Sequence, residues 1–216
     1  IAEYGSFIGI LLSAIGYLVM SISTFFIPSV SIPKDNSSNL SFFTEGFSYV
    51  VKNELFYCLI LLTYCTNFFI FGYIQALPAF IDVFNGTPRE LGLMFSCAGL
   101  GALSGLLTAG KVNINKNLGA IILSSASFFS VLIILVSLVG VGIMPTYLPF
   151  TNILLIFPLA TIGHFGNGFY MLSTYAVIQS KVPENIRGRV MGIVAIHISI
   201  GVLGGLWVGG MGEIFN

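Results

Sequence analysis

From Asn117 to Ser180 the chain runs for 64 residues without an Asp, Glu, Lys or Arg. Charged side chains keep a folded surface in water and are almost never buried without a partner. At about 1.5 Å per residue, a helical run of that length crosses the roughly 30 Å apolar core of a bilayer more than twice. The run therefore excludes an ordinary soluble domain. The rest of the sequence agrees, with 56% of its 216 residues hydrophobic and 7% charged, against about a quarter charged in a typical soluble domain. A net charge of zero gives no support to a nucleic-acid partner. Cys58, Cys65 and Cys97 lie inside apolar runs and read as packing residues, not as a disulfide or metal framework. The glycine-rich stretches fall within spans and lack a phosphate-binding lysine pattern, so neither a metal nor a nucleotide or haem cofactor is expected.

Mapped at about 20 residues per span, the apolar runs place helices at 7–27, 55–81, 91–110, 118–141, 150–178 and 190–212. The fold class is thus an all-α integral membrane protein with six transmembrane helices. Within the neutral run the division falls at Gly140 to Pro149, where paired glycines and prolines supply turn chemistry. Lys34, Lys52, Lys111, Lys116, Lys181, Arg187 and Arg189 occupy segments 28–54, 111–117 and 179–189, while 82–90 holds only Arg89. Basic residues favour the cytoplasmic side, which puts those three segments inside and both chain ends outside. The chain does not begin with Met, and we expect it to be cut from a longer protein. Between Lys34 and Glu54, Leu40, Phe43, Phe47, Val50 and Val51 recur at helical spacing, the pattern of a helix lying along the cytoplasmic interface.

Polar residues within spans are costly and are therefore the candidates for function. Tyr64, Asn67, Phe71 and Gln75 share one helix face that suits an amphiphile-binding cavity. The same face also suits interhelical hydrogen bonds worth only about 1 kcal/mol each. Gly163-His164-Phe165-Gly166-Asn167-Gly168 sets an imidazole near mid-membrane among helix-weakening glycines, making His164 and Asn167 candidates for a hinge or polar site. An unperturbed imidazole titrates near pH 6.5, so proton coupling is one use of His164. His197 shares a face with Gly201 and Gly204 and reads as a packed, hydrogen-bonded histidine. Gly101 and Gly105, and Gly201, Gly205 and Gly209, are spaced by four and suit close helix contact. Glu184, Arg187, Gly188 and Arg189 read as a gate or lipid-anchoring loop, with Glu184 as an internal ion partner and Pro183 and Gly188 setting the turn. Two other readings remain at this point. Ser104 and His197 could be the pair of an intramembrane serine protease, although Ala102 stands where the glycine before such a serine is expected. The bundle could also be a non-catalytic scaffold.

Three stretches carry a family resemblance: Thr44-Glu45-Gly46-Phe47-Ser48-Tyr49-Val50; Leu77-Pro78-Ala79-Phe80 followed by Leu91-Gly92-Leu93 and Gly99 to Gly105; and Gln179 to Met191, which contains Pro183-Glu184-Asn185-Ile186-Arg187-Gly188-Arg189. In this order they resemble the enterobactin-exporter and macrolide-efflux branch of the major facilitator superfamily, over most of residues 44–210. The resemblance implies that 1–27 is the family's sixth helix, 28–54 its central cytoplasmic loop, and 55–216 its seventh to eleventh helices, with the twelfth missing. It further implies a secondary active transporter that exports a small amphiphile, such as a drug or siderophore, by alternating access around a midplane site. Proton coupling is an option, and the implied protein is not an enzyme. The implied partners are the lipid bilayer, a small-molecule substrate and the missing N-terminal half. The implied location is multi-pass in the plasma membrane, here a bacterial inner membrane. One departure is that Gly110 to Gly119 has Lys111 and Lys116 but no acid, so a charge-relay role for that loop does not carry over.

Overall fold

A computed structural model describes residues 6–28, 39–112, 117–140 and 152–215. The expected turn between Gly140 and Pro149 lies outside the described residues beyond Gly140, as do Lys34 and Lys116. The chain divides into two units, residues 1–38 and 39–216.

Among its described residues the first unit contains one helix, α1 (Ser6–Thr24). Its apolar side chains are exposed all round, from Phe7 to Ile22. Ser13 and Ser23 donate their hydroxyls back to Gly9 O and Val19 O at 2.9 and 2.8 Å. A helix whose exposed surface is mostly hydrocarbon, with serine hydroxyls bonded back to its own carbonyls, is suited to lipid.

The second unit is a bundle of α2 (Asn39–Lys52), α3 (Glu54–Val83), α4 (Pro88–Ala109), α5 (Leu118–Gly140), α6 (Asn152–Lys181), α7 (Glu184–Ala195) and α8 (His197–Phe215). Together with α1, all described regular structure is helical. Among the described residues, five segments are long and apolar enough to cross a membrane: Phe7–Thr24, Glu54–Val83, Pro88–Ala109, Gly119–Val139 and Glu184–Glu213. The remaining expected span falls on α6, which has the length at 30 residues. Its Pro158, His164, Asn167 and glycines dilute its apolar character.

Local chemistry moves several boundaries from their expected places. The fourth helix starts at Pro88 instead of 91 because Thr87 caps it. The Glu90 carboxylate accepts the Thr87 N–H at 2.6 Å and the Thr87 hydroxyl at 3.0 Å. Proline at the first helical position needs no hydrogen-bond partner. The expected loop 179–189 shrinks to Val182 and Pro183. Gly188 sets no turn; it lies inside α7, with open space where a side chain would stand. The expected helix at 190–212 lies within one membrane-crossing segment, Glu184–Glu213, in which the single turn residue Ile196 separates α7 from α8.

Within the bundle α4 packs along α6, α8 along α3, and α5 on the other side of α6, while α2 lies against α7 and α3. The two long contacts use one device. A Cβ at Gly101 or Gly105 of α4 would overlap the carbonyl oxygen of Thr161 or Phe165 on α6. A Cβ at Gly204 of α8 would overlap the carbonyl oxygen of Phe68 on α3. The spacing-by-four pattern thus locates both interfaces, with corrections. Gly201 and Gly205 meet the side chains of Phe71 and Gln75, Gly204 makes the backbone contact, and Gly209 has nothing within 4 Å. Cys58 and Cys65 also depart from expectation, being exposed on α3 instead of packed.

Two apolar clusters fill the bundle at different heights. One gathers Phe56 and Ile60 of α3 with Ile122, Tyr170, Ile178, Val190 and Val194. The other gathers Leu77 and Ile81 of α3 with Met94, Val136, Val139, Ile156 and Ala160. Between them, on both α3 and α6, lie the polar residues.

Candidate functional site

The polar layer is built where α3 meets α6. Thr63 donates its hydroxyl to Leu59 O at 2.8 Å, so the 3.4 Å contact with Tyr170 leaves the tyrosine as the donor. Ten residues further along α3, the Tyr73 ring lies 6.1 Å from the His164 imidazole, centroid to centroid. The order Thr63 to Tyr170 and Tyr73 to His164 makes the two helices antiparallel here. Asn67 falls between the two α3 positions and Asn167 between the two α6 positions.

Each member is held by its own helix. His164 Nδ1 lies 2.8 Å from Ala160 O. A carbonyl oxygen only accepts, so Nδ1 carries a proton, and in the neutral ring Nε2 keeps its lone pair. Phe129 of α5 packs edge-on against the ring, 5.4 Å away at 75°. Asn67 is buried and donates Nδ2 to Thr63 O at 2.9 Å. Asn167 differs: its Oδ1 is buried with no hydrogen-bond partner. Gly166 and Gly168 on either side of it abut α5 and α4 respectively, so close approach by both neighbours fixes its position.

The other members of the expected cavity face point elsewhere. Tyr64 donates its hydroxyl to Ile193 O at 2.6 Å, at the junction of α7 and α8. Phe71 and Gln75 lie against Gly201 and Gly205 of α8. The 3-4-4 spacing on α3 therefore follows the α8 contact for Tyr64, Phe71 and Gln75, while Asn67 belongs with the α6 layer. Sequence reasoning missed Thr63, Tyr73, Tyr170 and Phe129. The first three are polar residues within spans, a visible signal, but only the partner helix shows which of them meet.

A cleft of about 580 Å³ opens between α3, α5 and α8. Phe69, Tyr73, Phe80 and Trp207 supply aromatic walls, and Ser130 and Ser137 its hydroxyls. Among the described residues no charged side chain lines it. Tyr73 and Val136 border both this cleft and a small gap beside His164.

The expected gate residues lie on α7. Arg189 pairs with the Glu45 carboxylate of α2, 144 positions away in sequence. Glu184 is not its partner and forms no ion pair among the described residues. Arg187 donates to Val182 O at 3.4 Å. The Glu45 side chain is 57% exposed, so the pair fixes the approach of α2 to α7 more than it stabilises, at less than about 1 kcal/mol. Gly46 permits that approach, since a Cβ there would lie 2.9 Å from Arg189 Cβ.

Two residues weighed for proteolytic chemistry have separate partners. Ser104 donates to Gly101 O at 2.7 Å, while His197 is bonded to Val194 and Tyr175. The nucleophile-base contact that acyl transfer requires is therefore not assembled. Among the described residues no group of three or more His, Cys, Asp or Glu could hold a metal ion.

Enterobactin exporters EntS of Shigella boydii serotype 18 (strain CDC 3083-94 / BS512) and serotype 4 (strain Sb227) are each 28% identical over 142 residues. Those residues are 64% of this chain and 31% of each relative, so the chain matches about a third of the length of these curated proteins. No solved structure matches. The family model described as Major Facilitator Superfamily matches residues 1–206, nearly the whole chain. With its membrane-spanning helical bundle, the chain belongs to the Major Facilitator Superfamily, a family of membrane transporters.

Proposed function

We propose that this chain supplies half of a secondary exporter of a small amphiphile, with the α3–α6 polar layer contributing to the substrate and coupling path. The observation that carries the reading is the unpartnered Asn167 Oδ1, buried between two apolar clusters. An unsatisfied polar group at membrane depth is destabilising and is the kind of group that function retains. His164, with Nε2 free to accept, stands one turn away on the same helix. The names of the curated relatives, which are exporters, support the direction of transport.

The test is accumulation of fluorescent amphiphilic dyes in cells expressing the full-length transporter, with and without a protonophore. We expect low accumulation that the protonophore raises. We also expect His164→Ala to weaken export by roughly tenfold, the equivalent of about 1.4 kcal/mol. Accumulation unaffected by the transporter across the dye panel would remove the amphiphile reading.

The same reading assigns the α3–α5–α8 cleft to a further membrane helix of the full transporter, not to substrate. The packing repeats: α8 lies on α3 as α4 lies on α6, each through glycines against backbone. On α6 the flank beside this contact is covered by α5, whereas on α3 the flank carries the cleft, with Phe69 60% exposed. Trp207, the single tryptophan of these 216 residues, reports on it. We expect brominated-acyl lipids to quench Trp207 in this chain. In the full transporter, with its other tryptophans replaced, Trp207 should be protected. Equal quenching in both would return the cleft to lipid.

A further inference from the structure

Where α2 gives way to α3 the chain forms a corner, and an apolar hollow of about 230 Å³ lies beside it. Asn53 is the corner residue. Its extended backbone (φ −110°, ψ 104°) separates Lys52, the last residue of α2, from Glu54, the first of α3. The hollow is walled by Val50 and Val51 of α2, by Tyr57, Leu61 and Tyr64 of α3, and by Ile196 between α7 and α8. The Tyr64 hydroxyl is engaged by Ile193 O at 2.6 Å, which leaves its ring as wall. Val50 is buried at the back, while Val51, Tyr57, Leu61 and Ile196 are exposed and form an open rim.

The medium at that rim is hydrocarbon, because α3 is a membrane-crossing segment from Glu54 onward. At about 1.5 Å per residue, the wall from Tyr57 to Tyr64 runs about 10 Å into the span. A water there would find no polar partners, and an empty hollow forfeits dispersion contacts along its whole lining. An acyl chain supplies those contacts.

The corner carries charge of both signs. Lys52 and Glu54 are exposed, and neither has an ion-pair partner among the described residues. Glu54 stands one turn before Tyr57 and so shares the α3 face that lines the hollow. Lys52 directly follows Val51, and its long side chain can reach along the surface. Lysine alone would suit the phosphate of any phospholipid. The carboxylate beside it disfavours a headgroup with net negative charge and favours one that also carries a cation. Ethanolamine can donate N–H bonds to a carboxylate, whereas the quaternary nitrogen of choline has no proton to donate.

We propose that this corner is a phospholipid site with a preference for an amine headgroup. One acyl chain fills the hollow, the phosphate lies on Lys52, and the headgroup ammonium donates to Glu54. The bound lipid fastens the end of α2 to α3.

The test is photolabelling of this chain, and of the full-length transporter, in phosphatidylcholine nanodiscs. These carry a trace of either phosphatidylethanolamine or phosphatidylcholine with a diazirine on one acyl chain. In this chain the exposed apolar residues of α1 report labelling by bulk lipid. We expect the phosphatidylethanolamine probe to label Tyr57, Leu61 and Ile196 roughly fivefold more than α1, and roughly fivefold more than the phosphatidylcholine probe does. Lys52→Gln and Glu54→Gln should each abolish the difference between the probes. Lys111→Gln, at an exposed lysine just past α4, should preserve it. Leu61→Trp fills the hollow from an exposed position without touching the buried core, and should lower labelling of Ile196 to the level of α1. Labelling of the hollow no greater than that of α1 would overturn the acyl site. Equal labelling by the two probes, or a preference that survives both Lys52→Gln and Glu54→Gln, would overturn the headgroup assignment. Labelling in this chain but protection in the full transporter would overturn the lipid site by giving the hollow to protein.

Discussion

Gly204→Val and Gly105→Val each prevent the bundle from assembling, while Gly209→Val leaves it intact. Gly105 and Gly209 follow the spacing-by-four pattern and Gly204 does not, so it is their surroundings that separate the three. At Gly204 and Gly105 the first atom of any side chain overlaps a backbone carbonyl oxygen, Phe68 O and Phe165 O respectively. Backbone cannot rotate away as a side chain can, so the helices must part along their whole contact. Overpacking where side chains give way costs about 1–3 kcal/mol, and a clash with backbone exceeds that. Helix association in a bilayer rests on close van der Waals packing, with no hydrophobic drive between helices to compensate for a gap. Gly209 has nothing within 4 Å. Thermal unfolding and monodisperse yield in detergent would check this. Gly204→Val as stable as Gly209→Val would mean that the α3–α8 interface is not the one described.

How far the sequence could foretell the site follows from what periodicity encodes. Spans were legible because lipid imposes a length and an exclusion of charge that composition displays directly. Glycine spacing located the α4 and α8 interfaces but not the contacting residue, because Gly204 and Gly205 are adjacent and a 3.6-residue turn does not settle which faces the partner. The Tyr64, Asn67, Phe71 and Gln75 stripe was a true helix face. Its neighbour was not readable, and that neighbour is α8 for three of the four. His197 was expected to be hydrogen-bonded, and it is, but its partner Tyr175 is 22 residues away on another helix. Glu184 is the ion partner that the sequence suggests within the loop of Arg187 and Arg189, whereas the partner of Arg189 is Glu45, from the other end of the bundle's chain. Local pairing rules cannot reach across that separation.

Asn167→Val should move stability and transport in opposite directions, and that opposition separates a functional residue from a packing one. Asn167 Oδ1 is buried without a partner, and leaving such an acceptor unmade costs about 1–3 kcal/mol. Replacing the amide by an apolar group of similar bulk removes that cost, so the variant should unfold at a higher temperature. If the orphaned oxygen accepts a hydrogen bond from substrate or from a coupling proton carrier, export by the full transporter should fall roughly 5- to 30-fold, the effect of losing about 1–2 kcal/mol. Ser173 provides the comparison. Its hydroxyl is likewise buried without a partner and it is fully inaccessible. It lies on α6 past Tyr170, away from His164. Ser173→Ala should raise stability and leave export unchanged. An unsatisfied group costs stability wherever it lies, and only one that faces the site has a function to offset that cost, as in stability–activity trade-offs; Ser173 measures the cost alone. Asn167→Val with raised stability and unaltered export would reduce the orphaned amide to a packing defect and move the search for the substrate path away from the α3–α6 layer.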